Sequence, residues 1–129
     1  MRSRHERLYH LALASDWNTA RAGLTGYRTS TLGQDLADVG FIHCSYADQV
    51  RGIADRVYHD RDDVLLLTID QERLTSREVD EPVEGSDEEY PHVYGPIDLE
   101  AVVEVTPLVL HDDGTLELPA LTTDDAEQP

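Results

Sequence analysis

The chain has 129 residues, 27 acids against 10 bases, and a formal net charge of −17. Such a charge repels phosphate backbones and disfavours nucleic acid as a partner. The lone cysteine, Cys44, excludes an internal disulfide framework, and no apolar run reaches the ~20 residues of a membrane span.

Residues 1–6 are polar and read as a flexible lead-in. Leu8-Tyr9-His10-Leu11-Ala12-Leu13 reads as a strand. Ser15 is the expected N-cap of a helix with Trp17, Ala20 and Arg21 at helical spacing, stopped by Gly23. After an irregular piece framed by Gly26 and Thr31, a short helix is expected over Leu32–Val39, ended by Gly40. Phe41-Ile42-His43-Cys44 is a buried-strand candidate. Ser45 is the expected cap of the best helix, with Asp48 in its first turn. Its stripe is Val50, Ile53, Ala54, Val57 and Tyr58, the spacing of a core-facing helix.

The acidic cluster Asp60–Asp63 ends that helix. Val64–Ile69 is a nearly continuous apolar run, which predicts a central strand covered on both faces. Asp70–Leu74 reads as a turn, Glu78–Pro82 as extended, and Glu84–Glu89 as an acidic loop. His92-Val93-Tyr94 is a short strand closed by Gly95-Pro96. Val102–Leu110 is a strand that Pro107 demotes to an edge or a bulge. Asp113-Gly114 signals a hairpin pairing Val109-Leu110 with Leu116–Leu118.

The expected domain covers residues 7–120, followed by an acidic disordered tail over 121–129. Many short strands with one main helix and one or two lesser ones make an α+β pattern. All ten bases are Arg, a usage that suggests a GC-rich genome. The acid excess resembles proteins that work in high salt, where screening reduces self-repulsion. No signal-like apolar stretch follows the charged N-terminus, so a cytoplasmic location is expected.

Three histidines stand out. His10, His43 and His92 each sit in, or at the end of, a short apolar strand, where rigid elements aim a side chain. His5, His59 and His111 read as surface residues. A metal-dependent hydrolase built on the three is one reading, but no two have the short spacing of a metal motif, and no metal is expected. Cys44 faces away from His43 if both lie in a strand, and reads as a small core residue rather than a nucleophile.

The chain resembles the DUF952 family. The matching pieces are Leu8-Tyr9-His10-Leu11 followed by Trp17; Gly40-Phe41-Ile42-His43-Cys44-Ser45 followed by Gln49; Val64–Leu67 with Ile69-Asp70 and Leu74; Glu81-Pro82; and Tyr90–Pro96 followed by Ala101-Val102. They cover roughly residues 8–108. The resemblance implies an ADP-ribosyltransferase-like fold: two small, mostly antiparallel sheets forming a cleft that takes NAD+ as substrate. Those enzymes commonly carry a His-Tyr-Glu triad. By order along the chain, His10 matches its first member, and His43 and His92 stand where the tyrosine and glutamate would be. The resemblance then implies that His10 holds a ribose hydroxyl and His43 stacks on nicotinamide, with Tyr94 and Ser45 also on the ligand. Neutral His92 supplies no negative charge, and Glu81 is the carboxylate that could. The acceptor would be a small molecule or a protein. A binding module without catalysis on the same scaffold is the alternative.

Overall fold

The computed structural model describes residues 7–24, 26–32, 34–83 and 85–121. The expected lead-in with its His5, and the tail beyond Leu121, lie outside them. The first strand, β1 (Leu8–Leu13), alternates its side chains between two apolar clusters, so both faces are buried. Leu8 and Ala12 enter one cluster, Tyr9 and Leu11 the other. β1 pairs antiparallel with β5 (Val64–Ile69), which pairs antiparallel with β8 (Val102–Pro107). β5 is therefore the central strand of this sheet, covered on both sides as its continuous apolar run predicts. Fully burying a side chain such as Leu67 or Leu66 contributes about 1.5–3 kcal/mol. β8 is an edge strand ending at Pro107, with a bulge opposite Thr68–Ile69.

The second three-stranded sheet runs β4 (Ile42–His43), β7 (Glu89–Tyr94), β6 (Arg77–Pro82), again antiparallel throughout. Its Ile42, Cys44 and Val93 join Leu8, Leu67 and Ile69 of the first sheet in one cluster. Two small hairpins complete the described strands: β2 (Thr29–Thr31) with β3 (Gln34–Asp35), and β9 (Val109–Leu110) with β10 (Leu116–Glu117). The second closes through Asp113-Gly114 as expected. A side chain on Gly114 would run into His59 and Asp60. The protein is thus a small α+β structure with several antiparallel sheets and three α-helices among the described residues.

The helices depart from expectation at their ends. α1 (Ala14–Gly23) starts one residue before Ser15, and the Ala14 N–H donates to the Asp63 carbonyl at 2.9 Å, so a strand end does the work assigned to a serine cap. The expected helix over Leu32–Val39 shrinks to α2 (Leu36–Val39), because Thr29–Asp35 is spent on the β2–β3 hairpin. α3 (Val50–Val57) keeps its stripe, with Val50, Ile53 and Ala54 buried on the β1–β5 sheet. Tyr58 closes it and donates to the Leu11 carbonyl at 3.1 Å. Ser45 does not cap α3. It lies five residues upstream, exchanging two backbone bonds with Tyr9 of 2.7 and 2.8 Å. The intervening turn is stitched by Gln49, which accepts from Tyr46 N–H and donates to the Glu89 carbonyl, both at 2.9 Å.

α1 ends on Leu24, held at φ 57° with 80% of its surface exposed. A branched side chain pays a steric penalty there and buries nothing in return. Leu24→Gly should therefore raise the unfolding free energy by roughly 0.5–1 kcal/mol, after the flexibility it adds to the unfolded chain. An unchanged or lower urea midpoint would show that Leu24 makes a contact worth more than its strain. No helix among the described residues is long and apolar enough to cross a membrane.

Candidate active site at the seam between the two sheets

The seam begins with Pro91. It occupies the middle of β7, the central strand of its sheet, where a missing N–H breaks the ladder. Its carbonyl accepts from Cys44 N–H at 2.9 Å, so the missing donor faces the same neighbour. β4 pairs with β7 only at Ile42–Val93 and His43–His92. The chain then leaves this sheet and bridges Ser45 to Tyr9 of the other. His10 and His43 are brought together by that handover.

His10 is 3% exposed, and both ring nitrogens are bonded. Nδ1 faces the His43 carbonyl at 2.7 Å. A carbonyl only accepts, so Nδ1 carries the proton and Nε2 accepts from the Tyr27 hydroxyl at 3.0 Å. Burial holds the ring's pKa down to about 4, so it is neutral at physiological pH. The ring positions β4 against β1 and keeps no free nitrogen for a ribose in this conformation.

His43, His92, Glu81 and Tyr94 form a second, continuous chain of contacts. His92 is 2% exposed. Its Nδ1 lies 2.8 Å from Glu81 Oε1, and its Nε2 lies 3.3 Å from His43 Nδ1. The Tyr94 hydroxyl donates to the same Glu81 oxygen at 2.5 Å. That bond, followed by the one from His92, holds the Glu81 carboxyl below its ordinary range, so it is ionised at neutral pH. Phe41 stacks on His92 with ring centres 4.0 Å apart and planes 12° from parallel. Tyr90 flanks His43 at 5.0 Å.

Donor and acceptor rules restrict the protons along this chain. An ionised Glu81 only accepts, so His92 carries a proton on Nδ1. The 3.3 Å contact between His92 Nε2 and His43 Nδ1 holds one proton; in the tautomer with His92 Nε2 as acceptor, His43 Nδ1 donates and His43 Nε2 is a lone pair. That nitrogen is buried and has no hydrogen-bond partner among the described residues. Unmet polar atoms in a packed interior are costly and call for an explanation. Burial first, then the neighbouring His92, His10 and Arg56, hold the His43 pKa down to about 4, so the ring is neutral at physiological pH.

The structure thus gathers His43, His92, Glu81 and Tyr94 into one connected set and places His10 behind it, joined through the His43 backbone. Ser45 is at the seam but 5% exposed, its backbone committed to Tyr9. Cys44 is fully buried, and its thiol is pushed well above the ordinary range by burial, as suits a core residue. Among the described residues no group of three or more His, Cys, Asp or Glu side chains converges to hold a metal ion. His59 and His111 are surface residues, as expected.

Phe41, Tyr90 and Tyr27 went unread as site residues. A period-2 count from His43 and His92 places Phe41 and Tyr90 on the histidines' face of the sheet; nothing local marks Tyr27. A cavity of about 400 Å³, within the size range of ligand pockets, is lined by Asp16, Ala20, Arg28, Thr29 and Leu36. Thr29, whose backbone also reaches the His10 ring, ties it to the seam.

A family model described as "Protein of unknown function (DUF952)" matches residues 11–105. The X-ray structure of protein CC0527 from Caulobacter crescentus is similar to this chain with a TM-score of 0.76 and 28% identity, over 87% of this chain and 94% of that one. The solution NMR structure of CC0527 gives a TM-score of 0.66 over 87% and 92%. Among curated proteins none matches.

Proposed function

The chain belongs to the DUF952 family, and from that premise we propose that it is an ADP-ribosyltransferase-like protein that binds NAD+ and breaks its nicotinamide–ribose bond. The observation that carries the reading is the convergence of residues 33 and 49 positions apart on one seam, with a carboxylate at its end. Breaking that bond develops positive charge on the ribose, as in glycoside cleavage. Glu81 brings a negative charge to the far end of the chain of contacts, which it shares through His92 with His43. The ring of Tyr94, exposed and tilted against Phe41, offers stacking surface for a planar ring. The adjoining cavity carries one cation, Arg28, beside the carboxylates of Asp16 and Asp35.

The test has two steps. NAD+ at about 100 times its dissociation constant should stabilise the folded protein by about 2.7 kcal/mol, read as a rise in melting temperature. Nicotinamide release, followed by chromatography, should then separate an enzyme from a binding module. A melting temperature unmoved by millimolar NAD+ would remove both readings at once.

A further inference from the structure

We infer that Glu81, His92 and His43 form a proton relay whose working end is His43 Nε2, the general base for an acceptor that arrives carrying its proton on oxygen. The inference rests on the NAD+ reading above and goes further by naming the acceptor class as water or a neutral hydroxyl. Glu81 Oε1 accepts from His92 Nδ1 at 2.8 Å, and the relay runs in the tautomer in which His92 Nε2 accepts from His43 Nδ1, 3.3 Å away. What remains is the buried His43 Nε2, a lone pair in that tautomer, which no group among the described residues meets. A donor O–H from a ligand is the partner that this atom lacks.

The chemistry of NAD+ calls for a base and no acid. When the ribose C1′–N bond breaks, its electron pair stays on nitrogen and nicotinamide leaves as a neutral ring, needing no proton. The new C1′–O bond forms from the acceptor oxygen, which must lose one. That proton passes to His43 Nε2 while the His43 Nδ1 proton moves to His92 Nε2. His92 then carries both ring protons, and its positive charge sits against the Glu81 carboxylate. The pyridinium charge of NAD+ has become the imidazolium charge of His92, so atoms and charge balance without a further reactant. Glu81 is a third exposed, which opens a path for the proton to solvent and resets the chain. A preformed anion such as phosphate attacks through an oxygen that is already deprotonated, so it needs no base.

His43 is the catalytic residue of this scheme, and His92 and Glu81 position and polarise it. The groups facing His43 are His92 and Tyr90 from β7, His10 from β1 and Arg56 from α3. The test follows nicotinamide release from NAD+ between pH 4 and 9 in the wild type and in Glu81→Gln, with and without molar methanol or inorganic phosphate. The wild type should lose activity below about pH 5, and methanol, unlike phosphate, should speed release and appear in the product as a methyl glycoside. Glu81→Gln should keep its NAD+ affinity, lower kcat by about 10²-fold and shift the acidic limb to lower pH, the loss expected of a general base deprived of its carboxylate. Long-range proton–nitrogen spectra at pH 7 should find the Nδ1–H tautomer on both His92 and His43.

NAD+ that binds and turns over in E81Q with wild-type kcat and pH profile overturns the relay alone. An Nε2–H tautomer on His43 overturns it whatever NAD+ does. NAD+ that neither binds nor reacts ends the reading on which the relay rests, and the relay's catalytic role with it.

Discussion

His10→Ala is expected to lower the unfolding free energy by about 3–5 kcal/mol, a large share of the stability of a chain this size. Two losses add. The imidazole is 3% exposed, so its removal leaves a cavity between the sheets. One polar group is also stranded, the His43 carbonyl, and the buried Tyr27 hydroxyl keeps only its bond with Thr29. Each buried group left unpaired costs about 1–3 kcal/mol. Tyr27→Phe removes the donor to His10 Nε2 together with the hydroxyl's bond to the Thr29 side chain, and should cost about 1–2 kcal/mol by the same reasoning. Urea midpoints at constant slope measure both. If His10→Ala cost less than Tyr27→Phe, the ring would not be what ties β1 to β4.

The second large effect is with pH: stability should peak near pH 6.5 and fall on both sides. The His10 and His43 rings are held down to about 4, chiefly by burial, from 6.5 in the unfolded chain. Above pH 6.5 both states are neutral and the folded contribution is whole. Between 6.5 and about 4 the unfolded chain takes up protons that the folded rings refuse, so stability falls as pH falls. For His10 alone this amounts to about 3 kcal/mol. Glu81, whose folded value is depressed, acts in the same direction below about 4.5.

Glu78 acts in the opposite direction. Burial, then Asp80 beside it, raises its carboxyl to about 8. Between 4.5 and 8 the folded state keeps a proton that the unfolded chain has released, so this contribution shrinks as pH rises and is gone above 8. Below 6.5 the two rings outweigh the one carboxyl; above 6.5 Glu78 acts alone. Glu78→Gln should flatten the alkaline limb and leave the acid limb. Chemical denaturation across pH 4–9 reads both limbs. A flat profile from 6.5 to 4 would mean that the rings protonate without disturbing the fold.

Much of the scaffold was legible because it depends on local pattern. The run Val64–Ile69 is continuous because both faces of β5 are covered. The 3.6-residue stripe from Val50 to Tyr58 records one buried face of α3. Asp113-Gly114 closes the hairpin because its turn needs a glycine. Helix starts were less legible. Ser15 and Ser45 are residues of capping type, but the Asp63 carbonyl and a bridge to Tyr9 decided their surroundings. The short helix over Leu32–Val39 lost half its length to a hairpin that only β2 and β3 pairing could reveal.

By itself the chain's order of residues determined the faces: which strand positions are apolar, which helix side is buried, and that three histidines sit in strands rather than loops. Those follow from periods of 2 and 3.6, which need no knowledge of distant partners. The tertiary structure alone decided what each imidazole meets. Sheet register sets His43 beside His92, and a missing N–H at Pro91 releases β4 toward β1. Which nitrogen of His92 and of His10 carries a proton then follows from acceptors supplied by residues 11 and 33 positions away. No local pattern encodes such a pairing, because hydrogen-bond partners across strands are fixed by how the whole chain packs.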